Sequence, residues 1–320
     1  MDAAKRRDDD GNTGIFQAMR LLLALWLLLA PVFAQGSAPV PVLFASQPYV
    51  LDQLSSYPVV AFSVRQLTVG QYNPPYDWLV RRSSDNTQTQ IGFVNGLLNT
   101  TALASFCAGT NCYLVTWKDA GYLSSSADAT QSTAASQPQV VASGVVETQN
   151  GMPTVYFGGS QYLVISAVIG PTGASPGTLN IVAQVSSFVT TSTAFSYGAN
   201  AVNNIRSLGQ YTSANTLSYN YGGQSPSGSA ATSALFIATG TYTGSFIQFY
   251  FNGSPLFNQT KALTTGTAAL SYIGAYLGPN SYWEGSISEA ISFANALSSS
   301  DQYTLEPNQG STFKISGVTQ

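Results

Sequence analysis

Between residues 59 and 293 the chain runs as short segments in which apolar and polar residues alternate. They are VVAFSVRQL (59–67), DWLVRR (77–82), CYLVTW (112–117), TVYFGG (154–159), QYLVISAVI (161–169), LNIVAQVSSF (179–188), NTLSYNY (215–221), SALFIATGTY (233–242), SFIQFYF (245–251), AALSYIGAY (268–276) and SISEAISF (286–293). A period of two puts successive side chains on opposite faces of an extended strand. Gly, Pro, Ser and Asn bound each segment, and these residues end strands and make turns. Parallel sheets need crossover helices between strands, and the sequence has almost none, so a β-sandwich or barrel is expected. Short helices are expected only at TTALASFCA (100–108) and SSSDQYTLE (298–306), the second opening on Ser and Asp. Asn252-Gly253, between SFIQFYF and SPLF, supplies the two positive φ angles of a tight hairpin turn.

Residues 1–34 read as a signal-peptide region. MRLLLALWLLLAPVFAQ (19–35) combines a basic residue, an apolar run from Leu21 to Leu29, a Pro31 break and a Val32-x-Ala34 pattern. The run is shorter than the roughly 20 apolar residues that span a bilayer, which favours cleavage after Ala34 over an anchor. The preceding 18 residues, charged and without periodicity, are either a long n-region or follow an upstream start, with Met19 the alternative first residue. Residues 35–50 form a Pro-rich extended leader, and residues 51–320 are expected to make one domain. The expected location is secreted, extracellular or at the cell surface, with no membrane insertion once the signal is removed.

An oxidising compartment gives the only two cysteines, Cys107 and Cys112, a simple reading as a disulfide. A metal or redox role lacks both a histidine partner and a helix-start CxxC, and no cofactor or metal is expected. In the same compartment Asn99-Thr-Thr, Asn252-Gly-Ser and Asn258-Gln-Thr are N-glycosylation acceptors. Charged residues make up 8% of the chain and the net charge is −3, so no basic face exists for nucleic acid or anionic lipid.

Four stretches together point to a family. VRRSSDNTQTQIGF (80–93), FCAGTNCYLVTWKDAG (106–121), ATQSTAASQPQVV (129–141) and GMPTVYFGGSQYL (151–163) resemble the catalytic domain of α-L-arabinofuranosidase B, glycoside hydrolase family 54. They also resemble concanavalin A-like, laminin-G-like domains. FYFNGSPLF followed by YWEGSISEAISFANALSSSDQYTLEPNQGSTFKI resembles the closing strands and terminal helix of the same jelly-roll group. The resemblance covers most of residues 59–315. It implies an all-β, concanavalin A-like jelly-roll β-sandwich of two antiparallel sheets, with the cysteine loop closed by a disulfide.

The resemblance also implies a glycosidase, and the chemistry of that reaction asks for two carboxylates about 5 to 10 Å apart across the scissile bond. No Asp or Glu occurs between Glu147 and Glu284. FSYG (195–198) stands where the family has F-D-Y-G, and Asn204 falls nearest its nucleophile glutamate. IGAYLG places Tyr276 at the position of its acid, and Thr193 and Ala194 replace the adjacent cysteine pair of the sugar pocket. Glu284 and Glu289 lie on one segment and are expected to point to opposite faces. Glu289 alternates with Ile287, Ile291 and Phe293, so it is expected inward with an Arg partner unless a bulge turns it out. Asp85 and Asp119 are read as turn caps or partners of Arg81 or Arg82, the alternative being a calcium site that their spacing does not assemble.

Sugar recognition without catalysis uses aromatic faces with neutral amides and an occasional Arg. Tyr197, Asn200, Arg206, Tyr219, Tyr221, Tyr276, Asn280 and Tyr282 supply those groups in the segments that occupy the hydrolase positions, while Trp283 reads as core. The expected function is a non-catalytic carbohydrate-binding or adhesion module whose partner is a polysaccharide or glycan. The alternatives are an active arabinofuranosidase with a displaced acid pair and a structural surface or coat protein.

Overall fold

The computed structural model describes residues 49–69, 76–122, 127–186, 191–211, 216–222, 227–228, 232–267 and 270–318. The signal-like segment and all but the end of the leader lie outside the described residues.

The alternating segments form two antiparallel layers. In the first, Glu284–Phe293 is the central strand. One of its edges pairs with Val155–Gly158 and then Pro58–Ser63, and the other pairs along its length with Gly177–Val185. Phe236–Tyr242, Phe246–Phe251 and Ser254–Thr260 extend that layer in order. The second layer runs Ala129–Thr130, Leu163–Ile165, Ser271–Ile273, Ser192–Gly198, Ile205–Tyr211 and Thr216–Asn220.

Cys112–Trp117 joins the layers along one side. Its first residues pair with Gln139–Ala142, which reaches the first layer, and its last residues pair with Ala129–Thr130 of the second. The expected jelly-roll-like sandwich is what the chain makes.

Alternation explains the core. Leu179, Ile181, Ile247, Phe249 and Ile287 from the first layer meet Leu163, Ile165, Phe195, Leu208 and Ile273 from the second in one buried cluster. Each such side chain contributes on the order of 1.5–3 kcal/mol when removed from water. The hairpin turn forms at Asn252 (φ 47°) and Gly253 (φ 83°), as their sequence predicts.

Cys107 ends the Thr100–Phe106 helix, whose N-cap Asn99 accepts from Ala102 N–H at 3.0 Å, and Cys112 begins the next strand. Their disulfide, with the Cα atoms 6.0 Å apart, fastens that helix end to that strand.

A bulge decides where Glu289 goes. The register against Gly177–Val185 shifts between Val182 and Ala183, pairing them with Glu289 and Ile287 and passing over Ser288. Ile287 therefore faces the sandwich core, whereas Ile291 and Phe293 face a second cluster with Leu305 of the C-terminal helix. Glu289 is turned out of the sandwich and meets Gln309 of that helix.

The helix itself, Ser299–Phe313, is longer than expected and contains Pro307. Proline denies the carbonyl four residues earlier its helical partner, and that residue is Tyr303, on the exposed side of the helix. Among the described residues no helix is long and apolar enough to cross a membrane.

Candidate functional site

The outer face of the second layer carries a tyrosine cluster. In Leu163–Ile165 the two end residues point into the core, so Val164 and the preceding Tyr162 point out. The next strand places Tyr272, paired with Val164, on that same face. Ile205 lies there too, because Arg206 and Leu208 of its strand point inward.

Residues 274–283 then fold back over this face. Gly274, at φ 81°, donates its N–H to Ala194 O at 2.8 Å, and Trp283 N–H closes the loop onto Gly274 O at 2.9 Å. Tyr276 N–H donates to Asn280 O at 2.9 Å, and Thr193 N–H donates to Ser281 O at 2.9 Å.

The loop brings Tyr276 and Tyr282 to the cluster, both half-buried. The Tyr162 ring lies 6.0 Å from that of Tyr282 and 6.2 Å from that of Tyr272, tilted by 35° and 54°. Tyr282 Oη donates to Pro279 O at 2.7 Å, which fixes the ring's direction. Asn280 is exposed at the rim, and its Nδ2 donates to Gly278 O at 3.0 Å. Burial raises the phenols of Tyr272 and Tyr276 above the ordinary tyrosine range, so both stay neutral hydrogen-bonding groups.

The remaining expected ligand residues sit elsewhere. Tyr197, Arg206, Tyr219 and Tyr221 are buried, the first three wholly between the layers. Arg206 donates through Nε to Thr265 Oγ1 at 2.9 Å and through Nη2 to Ser175 O at 2.6 Å, and its guanidinium lies 4.8 Å over the Tyr242 ring. Burial pushes the Tyr219 phenol up to about 12, with the Arg206 charge pulling the other way. Tyr221 Oη meets Gln259 Oε1 at 3.2 Å. Stacking on a sugar does not fit such burial.

Asn204 accepts from Thr264 Oγ1 at 2.5 Å, which ties it to a neighbouring loop, and Asn200 is exposed on a turn. Trp283 is buried, as expected of a core residue. Tyr162 and Tyr272 were not singled out by the sequence reading. The alternation of QYLVI would have placed Tyr162 outward.

The acids do structural work. Asp85 accepts from Arg82 at 2.6 Å and from Thr87 N–H at 3.0 Å, and these bonds hold its carboxyl below the ordinary range. Arg81 turns instead to Gln137 and Asn86. Asp119 caps a turn by accepting from Ala61 N–H at 2.8 Å and Gly121 N–H at 2.7 Å. Glu284 lies beside Gly159, at the start of its strand. Among the described residues no group of three acids, or of acids with cysteines, is placed to hold a metal. The three acceptor asparagines all reach the surface at least in part, with Asn258 the most open on the outermost strand of the first layer.

No family model matches the sequence, and no curated protein matches it. Solved structures do. A family 54 α-L-arabinofuranosidase soaked with a cyclic sulfate inhibitor superposes with a TM-score of 0.66 at 13% identity, covering 81% of this chain and 63% of that one. An arabinofuranosidase complexed with arabinofuranosyl-α-1,2-xylobiose gives a TM-score of 0.65 at 14% identity, with the same coverages. The chain thus spans less than two thirds of the length of these enzymes, and what it shares with them is the family 54-like β-sandwich fold.

Proposed function

We propose that the chain is a secreted, non-catalytic carbohydrate-binding module that holds an arabinose-containing polysaccharide on the tyrosine cluster. The observation that carries this reading is the grouping of Tyr162, Tyr272, Tyr276 and Tyr282, with exposed Asn280 at its rim, on one outer face. Tyr162, Tyr276 and Tyr282 are half-buried and offer an apolar ring for sugar C–H edges and a hydroxyl for hydrogen bonds, at little entropic cost because packing, in part against the buried Tyr272, already fixes them. A glycosidase needs two carboxylates, and between Glu147 and Glu284, the span that supplies all four tyrosines, the sequence has no Asp or Glu.

The fold shared with arabinofuranosidases favours a second reading, hydrolysis of the same polysaccharide. One preparation tests both. The purified chain is incubated with arabinan and arabinoxylan, and bound polymer and released arabinose are measured together. The expected outcome is binding without release, weakened about tenfold in Tyr282→Ala or Tyr162→Ala proteins that remain folded at the temperature of the assay. Arabinose release by the chain would replace the first reading by the second. Absence of binding to any glycan would leave neither.

A further inference from the structure

A cavity lies on the first layer, where three turns converge. It measures about 300 Å³, at the low end for small-ligand sites, and is lined by Phe251, Asn150, Asn252, Thr232, Ser316 and Lys314 among others. The turns are the hairpin turn at Asn150-Gly151, the hairpin turn at Asn252-Gly253 and the C-cap of the C-terminal helix at Lys314.

All three turns place a non-glycine residue in the left-handed region: Asn150 at φ 51°, Asn252 at φ 47° and Lys314 at φ 52°. Asparagine tolerates that conformation through local hydrogen bonds. Asn150 Nδ2 donates to Phe313 O at 3.0 Å and Lys314 O at 3.1 Å, and Asn252 Oδ1 accepts from Ile237 N–H at 2.8 Å. A lysine side chain cannot make such a local bond to its own turn, and glycine is the usual residue at a helix end of this shape. Strain retained at a cavity wall is a recurrent mark of function.

The position of the ammonium gives that mark a chemical content. Lys314 lines the cleft, and its Nζ lies within 3.6 Å of where a Cβ on Gly151, the neighbour of Asn150, would stand. Among the described residues no carboxylate forms an ion pair with it. A cation without a counter-charge, two amides, two hydroxyls and one aromatic edge around a small cavity match a carboxylate-bearing sugar.

We propose that this cleft binds a uronic acid residue. Its carboxylate would meet Lys314, its hydroxyls Asn150, Asn252, Thr232 and Ser316, and its C–H edge Phe251. The site stands independently of the tyrosine cluster, while the choice of a sugar over another carboxylate rests on the glycan-binding reading.

The test titrates the full chain, produced without N-glycans because Asn252 is itself an acceptor, with D-glucuronate, D-glucose and acetate. Glucuronate is expected to bind saturably and more weakly as salt rises, with glucose and acetate at least about tenfold weaker. Lys314→Gly supplies the residue that the backbone favours, so it is expected to fold with an equal or higher melting temperature and to lose glucuronate affinity by about tenfold or more. Tyr282→Ala is expected to leave glucuronate binding unchanged, which separates failure of this site from failure of the tyrosine cluster. Absence of glucuronate binding, or equal affinity in Lys314→Gly, would overturn the site. Acetate binding as tightly as glucuronate would overturn its assignment to a sugar.

Discussion

Arg65 and Glu289 form a buried ion pair, Nε to Oε2 at 2.9 Å, across the bulge that turns Glu289 out of the sandwich core. Ser63 Oγ donates to the same carboxylate at 2.6 Å and Gln309 Nε2 at 2.7 Å, while Arg65 Nη1 donates to Asn308 Oδ1 and Thr312 Oγ1. The network anchors the C-terminal helix to the first layer, which makes Glu289 a structural acid. Removing its charge leaves the guanidinium buried and uncompensated, so Glu289→Gln is expected to cost about 3 kcal/mol in urea unfolding. Replacing both partners, as Arg65→Met with Glu289→Leu, should cost less than the two single changes added together.

The disulfide closes a very short loop. Chain entropy gives such a closure about 2 kcal/mol. The Cys107→Ser/Cys112→Ser pair is expected to unfold earlier by that amount, with arabinan binding intact, because both cysteines pack in the main core and the tyrosines form a separate cluster. Loss of binding in a folded double variant would place the loop near the ligand instead.

Much of this architecture was legible before the structure. Asn252-Gly253 announced its hairpin and the cysteines their pairing, whereas parity sent Glu289 inward and the bulge at Ser288 turned it out to meet Arg65 on the other side. The same parity rule, carried further, would have moved Tyr197 and Arg206 inside. Tyr197 shares the inward side of its strand with Phe195, and Arg206 shares that of the next strand with Leu208. A buried arginine with no acid partner is improbable from composition, so Arg206 reads as surface until Thr265, Ser175 and the Tyr242 ring are seen around it. The tyrosine cluster was hidden for another reason. Tyr162 meets Tyr282 only because the 274–283 loop folds back through backbone bonds to Ala194 and Thr193, contacts that no local pattern encodes.

Asp119 makes stability depend on pH. Burial pushes its carboxyl up to about 7, opposed by the N–H groups of Ala61 and Gly121, whereas an unfolded aspartate titrates near ~3.9. Between those values the native state holds a proton that the unfolded chain has released. Stability from this group is therefore complete at low pH, falls as pH rises toward 7, and is level above it, with a slope of at most about 1.4 kcal/mol per pH unit. Asp119→Asn keeps an acceptor for both N–H groups and should flatten the dependence of the urea midpoint between pH 5 and 7. Asp77, whose carboxyl burial also raises, leaves a residual slope of the same sign. An unchanged slope in Asp119→Asn would assign the proton elsewhere.

Gly240 and Tyr219 occupy one space. A Cβ on Gly240 would stand 2.1 Å from the Tyr219 ring, inside van der Waals contact. Neither side can yield. Gly240 is paired with Leu179 on one flank and Phe249 on the other, and Tyr219 is buried opposite Leu208. Glycine is usually poor in a strand, so its place in Phe236–Tyr242 reflects the ring it admits. Gly240→Ala is expected to destabilise by about 1–3 kcal/mol through overpacking. Tyr219→Leu shortens the side chain that clashes, so the Gly240→Ala/Tyr219→Leu protein should lose clearly less than the sum of the single losses in thermal or urea unfolding. Strict additivity would mean that the methyl is accommodated by the strand and that Tyr219 does not hold Gly240 to glycine.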